Sequence, residues 1–321
     1  MKGYGASGRN LAGMGLLLVV ATALVSGIST FVNLYAVTGT NSDAFVTVRN
    51  IVVAAALVPV AFLTAGQGRK RISGVNWMKL VLIGLVGGAV PFLLFFHGLE
   101  LAAAAKGGPT ASFVYRTLFI MATAFGIIFL GEKMRKRLLI GAIALLAGNA
   151  LLLSLTSPVW VNGTAYVLAA TVLWAVEYTI SKFTLRDLAS GTVALGRMGF
   201  GSLFLAAYLA VTNQFSAVGQ FTASQWIWVG ISAAFLTVFV SIWYAGLARV
   251  ELGIATSALL LGFPVTYLLA VAFSGSAPGA AGLLGVVVIA AGVAVVVGRR
   301  MARETWHFIV SALNPRRTRA S

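Results

Sequence analysis

The sequence predicts an all-α, polytopic membrane protein of ten transmembrane helices, arranged as two inverted five-helix repeats. Three observations predict this fold class. The composition suits lipid, apolar segments long enough to cross a bilayer follow one another with short connections, and the second half of the chain repeats the pattern of the first. Each repeat therefore takes up about half of the 321 residues.

The composition excludes an ordinary soluble protein. Hydrophobic residues make up 60% of the chain and charged residues only 9%, whereas soluble domains carry about 25% charged residues. The absence of cysteine excludes disulfides and thiolate metal sites. No cofactor or metal motif is recognisable, so we expect neither a cofactor nor a metal.

Apolar segments of about 20 residues, the length that crosses the hydrocarbon core of a bilayer, define the spans. They are separated by turn-forming sequences such as Gly66-Gln67-Gly68 and Ser274-Gly275-Ser276. Pro109 and Pro278 stand where a helix would begin, which suits their missing N–H. The predicted spans are residues 11–36, 45–65, 77–99, 109–131, 137–156, 160–181, 190–212, 225–246, 252–273 and 278–298.

Basic residues alternate between the loops. The termini and every second loop, including Arg69-Lys70-Arg71 and Arg135-Lys136-Arg137, hold 19 of the 23 Lys and Arg, while the other loops hold only Lys106. The positive-inside rule then places both termini in the cytoplasm, in a multi-pass protein of the cell (inner) membrane. A nucleic-acid partner is not expected, because such proteins gather their basic residues on a folded polar face.

An internal repeat organises the chain. A shift of 148 residues aligns four spans without a gap, so that Gly15 meets Gly163, Arg49 meets Arg197 and Arg116 meets Pro264. A later shift of 144 brings Gly141 and Gly148 onto Gly285 and Gly292. Five is an odd number, so the second repeat is expected to be inverted, a common plan among secondary transporters. The domains predicted are an N-terminal segment (1–10), the first repeat (11–156), the second repeat (160–298) and a basic tail (299–321).

Over residues 11–298 the chain resembles the drug/metabolite transporter superfamily, specifically its EamA-like members. The resemblance is carried by Arg49, Leu130-Gly131-Glu132, Arg197 and Phe263-Pro264-Val265. It implies a central cavity lined largely by spans 1, 3, 4, 6, 8 and 9, and export of amino acids, related metabolites or drugs. The chain departs from the family at Arg116, where a proline is usual.

Arginines within the spans are the first candidate site residues, because a charge in the bilayer centre costs about 2.5–3.5 kcal/mol. Arg49 and Arg197 are expected to be structural, capping carbonyls or snorkelling at the edge of the bundle. Arg116 stands in a span that should line the cavity. It either binds an anionic group such as a carboxylate, or pairs with Glu100 or hydrogen-bonds to a neighbouring helix.

Glu177 and His97 are the other ionisable residues in the spans, and each has two interpretations. Glu177 either forms a structural ion pair with Arg197 or Lys182, or serves proton coupling or a substrate amine, since burial without a partner raises the pKa of a carboxyl. His97 either gates or binds substrate, or is a satisfied bundle histidine.

Aromatic side chains in the cavity spans could surround a partly apolar substrate, although ordinary helix packing also explains such residues. The candidates are Tyr115, Trp174, Tyr178, Trp243, Tyr244 and Tyr267. Pro91 and Pro264 are candidate hinges, because proline bends a transmembrane helix.

The function expected is a secondary transporter that exports a small amphipathic metabolite by alternating access. A channel or lipid scramblase is an alternative, although charged rings are scarce. An intramembrane enzyme is less favoured, because Asp43 and Asp187 fall in loops and no H-E-x-x-H motif occurs, so no catalytic residue is assigned. The basic tail, which interleaves Trp306 with arginines, predicts an amphipathic helix on the anionic cytoplasmic leaflet.

Overall fold

The computed structural model describes residues 6–36, 41–65, 72–155, 157–275 and 277–313. Helices account for nearly all of these residues, and none of them lies in a β-strand. Within these ranges, nine helical segments are long and apolar enough to cross a membrane. A tenth, with 17 residues, is about 26 Å long at 1.5 Å per residue. The predicted all-helical membrane fold is confirmed.

The first repeat contains five helices in the predicted order. Most of their ends lie within three residues of the predicted spans, but the first helix begins five residues early, the third ends five residues late and the fifth stops four residues early. It ends at Leu152 because Ser154 takes a left-handed φ of 50°, which a continuing α-helix cannot accommodate. The five are α1 (Ala6–Ala36), α2 (Ser42–Ala65), α3 (Gly74–Ala104), α4 (Gly108–Leu130) and α5 (Lys136–Leu152).

The second repeat has the same number of long helices, with a short helix at Phe215–Gly219 between its second and third. Its last helix continues past the predicted end of the span, after a kink at Gly298 where φ is 71°. The five are α6 (Asn162–Thr184), α7 (Ser190–Val211), α8 (Ala223–Leu247), α9 (Leu252–Ser274) and α10 (Ala280–Leu313).

Three of the central helices are interrupted within the membrane. Helix α3 contains a π-helical segment, Gly84–Ala89, which ends two residues before Pro91. Helix α9 breaks before Pro264, whose missing N–H leaves the carbonyl of Leu260 to accept from Phe263 N at 3.2 Å. Helix α4 breaks at Thr117 without a proline, because the carbonyl of Val114 accepts from both the N–H and the hydroxyl of Thr117.

Each helix of the first repeat packs on a helix of the second, and the same pairs result when the two repeats are interchanged. Helix α1 packs on α8 as α6 packs on α3, and α2, α4 and α5 pack on their counterparts α7, α9 and α10. Glycines mark the equivalent crossings: a Cβ on Gly246 would lie 3.2 Å from the oxygen of Gly15, and one on Gly98 would lie 2.8 Å from that of Gly163. The predicted two-repeat architecture is confirmed, and the repeat interface runs through the middle of the bundle.

Some sequence predictions fall outside the described residues. These are the start of the N-terminal segment (1–5), the turn at 37–40, the turn and basic cluster at 66–71, Ser276 and the end of the basic tail (314–321).

Candidate functional site

A buried carboxylate joins three helices at the repeat interface. Glu177 of α6 has no exposed surface. Its Oε1 accepts from Ser181 Oγ at 2.5 Å and from Tyr244 Oη of α8 at 2.6 Å. Its Oε2 lies 3.7 Å from Nη1 of Arg197 on α7. Neither Oε2 nor that Nη1 has a hydrogen-bond partner in the described structure, so the ion pair is close but not hydrogen-bonded.

The π-helical segment of α3 supplies this cluster with a free carbonyl. In a regular α-helix the oxygen of Gly87 would accept from the N–H of residue 91, but that residue is Pro91, which has no N–H. The oxygen instead accepts from Trp174 Nε1 at 3.2 Å and from Arg197 Nη2 at 3.2 Å. Gly87 also packs so closely on the side chain of Glu177 that a Cβ would not fit.

Five aromatic rings, which we call the aromatic cluster, lie beside the ion pair. The rings of Phe95, Tyr115 and Trp174 contact one another, with centroids 4.9 to 5.4 Å apart. Phe92 contacts Trp174 at 5.5 Å, and Phe263 contacts Tyr115 at 6.1 Å. Tyr115 and Phe263 are equivalent under the 148-residue shift, so the aromatic cluster lies where the two repeats meet.

Arg116 stands at the break in α4, at the edge of the aromatic cluster. Its guanidinium lies 4.1 Å from the centroid of the Phe263 ring, within cation–π range. Its Nη1 donates to Asn149 Oδ1 of α5 at 3.0 Å, while its buried Nε has no partner in the described structure. No ion pair with Glu100 forms, and that residue is exposed. Of the partners considered from sequence, the neighbouring helix is the one present.

Arg49 and Arg197 are both buried, with 6% and 4% of their surfaces exposed, so neither snorkels to a membrane surface. Arg197 caps the carbonyl of Gly87, one of the structural roles expected. Arg49 donates from Nε and Nη2 to Asn50 Oδ1 at 3.2 and 3.1 Å and faces the Phe92 ring at 5.6 Å. Both arginines therefore add positive charge beside the aromatic cluster.

The other sequence candidates divide into two groups. Trp243 packs on Tyr178 at 4.8 Å, behind the ion pair. His97 is exposed against the Tyr166 ring at 5.1 Å, and Tyr267 donates to the oxygen of Gly279 near the end of α9. The structure thus brings together Arg116, Tyr115, Trp174, Glu177, Tyr178, Trp243 and Tyr244, and leaves His97 and Tyr267 outside.

Sequence reasoning did not select Asn149, Ser181, Phe95 or Phe263 as site residues. Two signals were available: Asn149 is the only polar side chain between Leu138 and Leu153 in span 5, and Ser181 lies one helical turn after Glu177, on the same face.

A second polar cluster ties loops together at one end of the bundle. Glu132 accepts from the N–H groups of Leu252 and Gly253 at 2.5 and 3.3 Å, and Arg135 pairs with Glu251 at 2.6 Å. Burial raises the pKa of the Glu132 carboxyl above its usual value of 4.5, and the two backbone hydrogen bonds oppose that rise. We call these residues the loop latch.

Lys182 completes the loop latch from the end of α6. It donates to the carbonyls of Leu247 and Val250 at 2.6 and 2.7 Å, so its ammonium is engaged there rather than with Glu177. In the described part of the chain, no group of three His, Asp or Glu side chains could hold a metal ion.

Comparison with known proteins agrees with this architecture. The chain matches the EamA-like transporter family over residues 13–154 and 161–298. It is 34% identical over 116 residues to a Sinorhizobium sp protein described as "Uncharacterized transporter in cobO 3'region", an alignment that covers 36% of this chain and 77% of that protein. A solved structure described only as "Crystal structure of protein" matches with a TM-score of 0.69 and 20% identity, over 88% of this chain and 97% of the other. That last similarity concerns the fold alone.

Proposed function

Because this chain belongs to the EamA-like transporter family, we propose that it is a secondary transporter that exports a small amphipathic metabolite, such as an amino acid or a related carboxylated compound, by alternating access. The observation that carries the substrate class is the position of Arg116 beside the aromatic cluster. The aromatic rings contact the apolar part of the substrate, and the guanidinium binds its carboxylate. A drug-like carboxylate would fit the same combination.

Alternating access needs two halves that move around a central site. The two repeats meet at the aromatic cluster, and five helices in each repeat give them opposite orientations in the bilayer. Pro91 and Pro264 lie at interruptions of α3 and α9, where bending is easiest, which supports their role as hinges. The loop latch joins the loops at one end of the bundle, which supports closure of that end and substrate access from the other in this conformation.

The proposed location is the cell (inner) membrane, with both termini in the cytoplasm. After Gly298 the last helix carries Arg299, Arg300 and Arg303 together with Trp306, which is 65% exposed. Exposed arginines and an indole suit the headgroup region of an anionic leaflet. The tail therefore rests on the cytoplasmic surface of the membrane.

The test is counter-flow in proteoliposomes. A panel of amino acids and other small carboxylates should show saturable uptake that is accelerated by the same compound inside the vesicle. Arg116→Ala should reduce transport of the carboxylated substrates, because it removes the cation beside the aromatic cluster. The control is Arg186→Ala, which removes an exposed arginine that lies on the ring of Phe183 and should leave transport unchanged.

Two results would contradict the proposal. Flux that does not saturate indicates a channel or scramblase instead of a carrier. Unchanged transport of every tested carboxylate by the Arg116→Ala variant excludes the assigned role of Arg116.

A further inference from the structure

Asn149 is a buried polar residue whose two amide atoms are both engaged. Only 1% of its surface is exposed. Its Nδ2 donates to the carbonyl of Leu145, one turn back in α5, at 2.7 Å. This bond fixes the amide so that Oδ1, its acceptor atom, faces Nη1 of Arg116 at 3.0 Å. The side chain of Asn149 therefore sets the position of the guanidinium.

Arg116 has no acidic partner, because the acids of the chain are engaged elsewhere. All seven Asp and Glu lie within the described residues. Four of them form ion pairs with other basic residues, and Glu132 caps α9. Of the remaining two, Asp43 interacts with Tyr208 and Glu100 is exposed. Arg116 is partly buried, and a cation withdrawn from water without a counter-charge is unfavourable, so the site is left with an attraction for anions.

The second repeat shows that the fold does not require this polar pair. Pro264 aligns with Arg116 under the 148-residue shift, and Val293 aligns with Asn149 under the 144-residue shift. Helices α9 and α10 thus make the equivalent arrangement with two apolar residues. The polar pair is confined to one repeat, where it borders the aromatic cluster.

We propose that Asn149 is a positioning residue that holds Arg116 against the aromatic cluster and, being neutral, leaves its charge available to a negatively charged ligand. Asn149 thereby determines the preference of the site for organic anions over neutral compounds. The inference rests on the proposed function, in which Arg116 binds the substrate. The amide occupies Nη1, while the buried Nε, which has no partner in the described structure, remains for a ligand carboxylate.

The decisive substitution is Asn149→Asp, which keeps the shape of the side chain and places a carboxylate at hydrogen-bond distance from Arg116. An internal ion pair then replaces the one that the ligand would form. With purified full-length protein, we would measure the binding of carboxylates and their amides, namely phenylacetate with phenylacetamide and L-phenylalanine with L-phenylalaninamide, by thermal stabilisation. We expect the preference for a carboxylate over its amide to fall about tenfold or more, an amount typical of a lost charge-assisted contact.

Asn50→Asp is the matched control, since Asn50 accepts from the buried Arg49 as Asn149 accepts from Arg116. It should lower the ratio of carboxylate to amide binding much less than Asn149→Asp does, because the guanidinium of Arg49 lies 5.6 Å from its nearest cluster ring, Phe92, whereas that of Arg116 lies 4.1 Å from Phe263. Asn149→Leu, which removes the acceptor without adding charge, should weaken carboxylate binding, and adding Arg116→Leu should weaken it little further. Such non-additivity indicates that the two residues act as one unit.

The outcomes separate this proposal from the transporter proposal. If the wild-type protein binds each amide as tightly as its carboxylate, or if Asn149→Asp weakens both equally, Asn149 has no role in charge selection. An equal loss of preference in Asn50→Asp would assign the effect to general charge and overturn the proposal too. In each of these cases saturable counter-flow would still support the transporter, whereas the absence of saturable flux for every compound would reject both.

Discussion

A close approach between α3 and α7 allows a quantitative test of the packing at the repeat interface. Gly201 of α7 faces Gly88 in the π-helical segment of α3. A Cβ added to Gly201 would lie 2.7 Å from the Cα of Gly88 and 2.8 Å from its carbonyl carbon and oxygen. Ordinary carbon contacts are about 3.5–4.0 Å, and backbone atoms cannot rotate away. Gly201→Ala must therefore push the two helices apart by about 1 Å.

The expected magnitude follows from two opposing effects. Overpacking of this kind costs about 1–3 kcal/mol, while alanine favours a helix over glycine by about 1 kcal/mol. At Gly199, two residues earlier in the same helix, an added Cβ would have no neighbouring atom within 4 Å, so Gly199→Ala receives only the second effect. The difference in free energy of unfolding between the two variants isolates the contact, and Gly201→Ala should be the less stable by about 1–3 kcal/mol.

The assay is unfolding of both purified variants in the same detergent, by heat or by denaturant. Gly201→Ala should also lose ligand binding, because Gly88 adjoins the carbonyl that Arg197 caps. Equal stability of the two alanine variants would show that α3 and α7 are not tightly packed at Gly88, and would refute the reasoning.

Further predictions concern the ion pair, the loop latch and the orientation of the repeats. Glu177→Gln should reduce pH-driven flux and exchange flux together, because it leaves Arg197 as an unpaired buried cation; loss of pH-driven flux alone would assign Glu177 to proton coupling. The raised pKa of Glu132 means that its contribution to stability is greatest below its usual value of 4.5 and declines as the pH rises through the raised value. The melting-temperature advantage of the wild type over Glu132→Gln should accordingly shrink as the pH rises above 4.5, and a difference that does not change with pH would contradict this. The chain has no cysteine, so a single cysteine can be placed in either of two equivalent loops by Lys133→Cys or Gly279→Cys. These two cysteines should react with an impermeant thiol reagent from opposite faces of the membrane. Labelling of both from the same face would rule out inverted repeats.

Hydropathy and the internal repeat were sufficient to predict the long helices and their order. Each span of apolar residues must form a helix in lipid, because every backbone polar group has to be satisfied internally. The sequence predicted a helix in the tail after Gly298, but it could not predict the end of α5 at Leu152 or the kink at Gly298, each of which depends on a left-handed residue. Such features arise from local backbone geometry, to which average hydropathy is insensitive.

The candidate site was predictable in part. The ionisable residues were conspicuous in apolar spans, and the Glu177–Arg197 pair was among the alternatives. The partner of Arg116 was not predictable, because contact with Asn149 depends on the rotation of α4 relative to α5. That rotation depends in part on how α5 packs on α10, where Gly148 lies against Ile289, and no periodicity in the sequence specifies it.

The missing amide hydrogen at Pro91 makes the bend of α3 and the buried charges inseparable. Pro91→Ala would restore a backbone donor that competes with Arg197 and Trp174 for the single oxygen of Gly87. A straighter α3 would carry that oxygen away from the guanidinium and deprive Arg197 of its neutral acceptor. Any change in the curvature of α3 must therefore also change the interactions of the buried charges on α6 and α7 and of Tyr244 on α8.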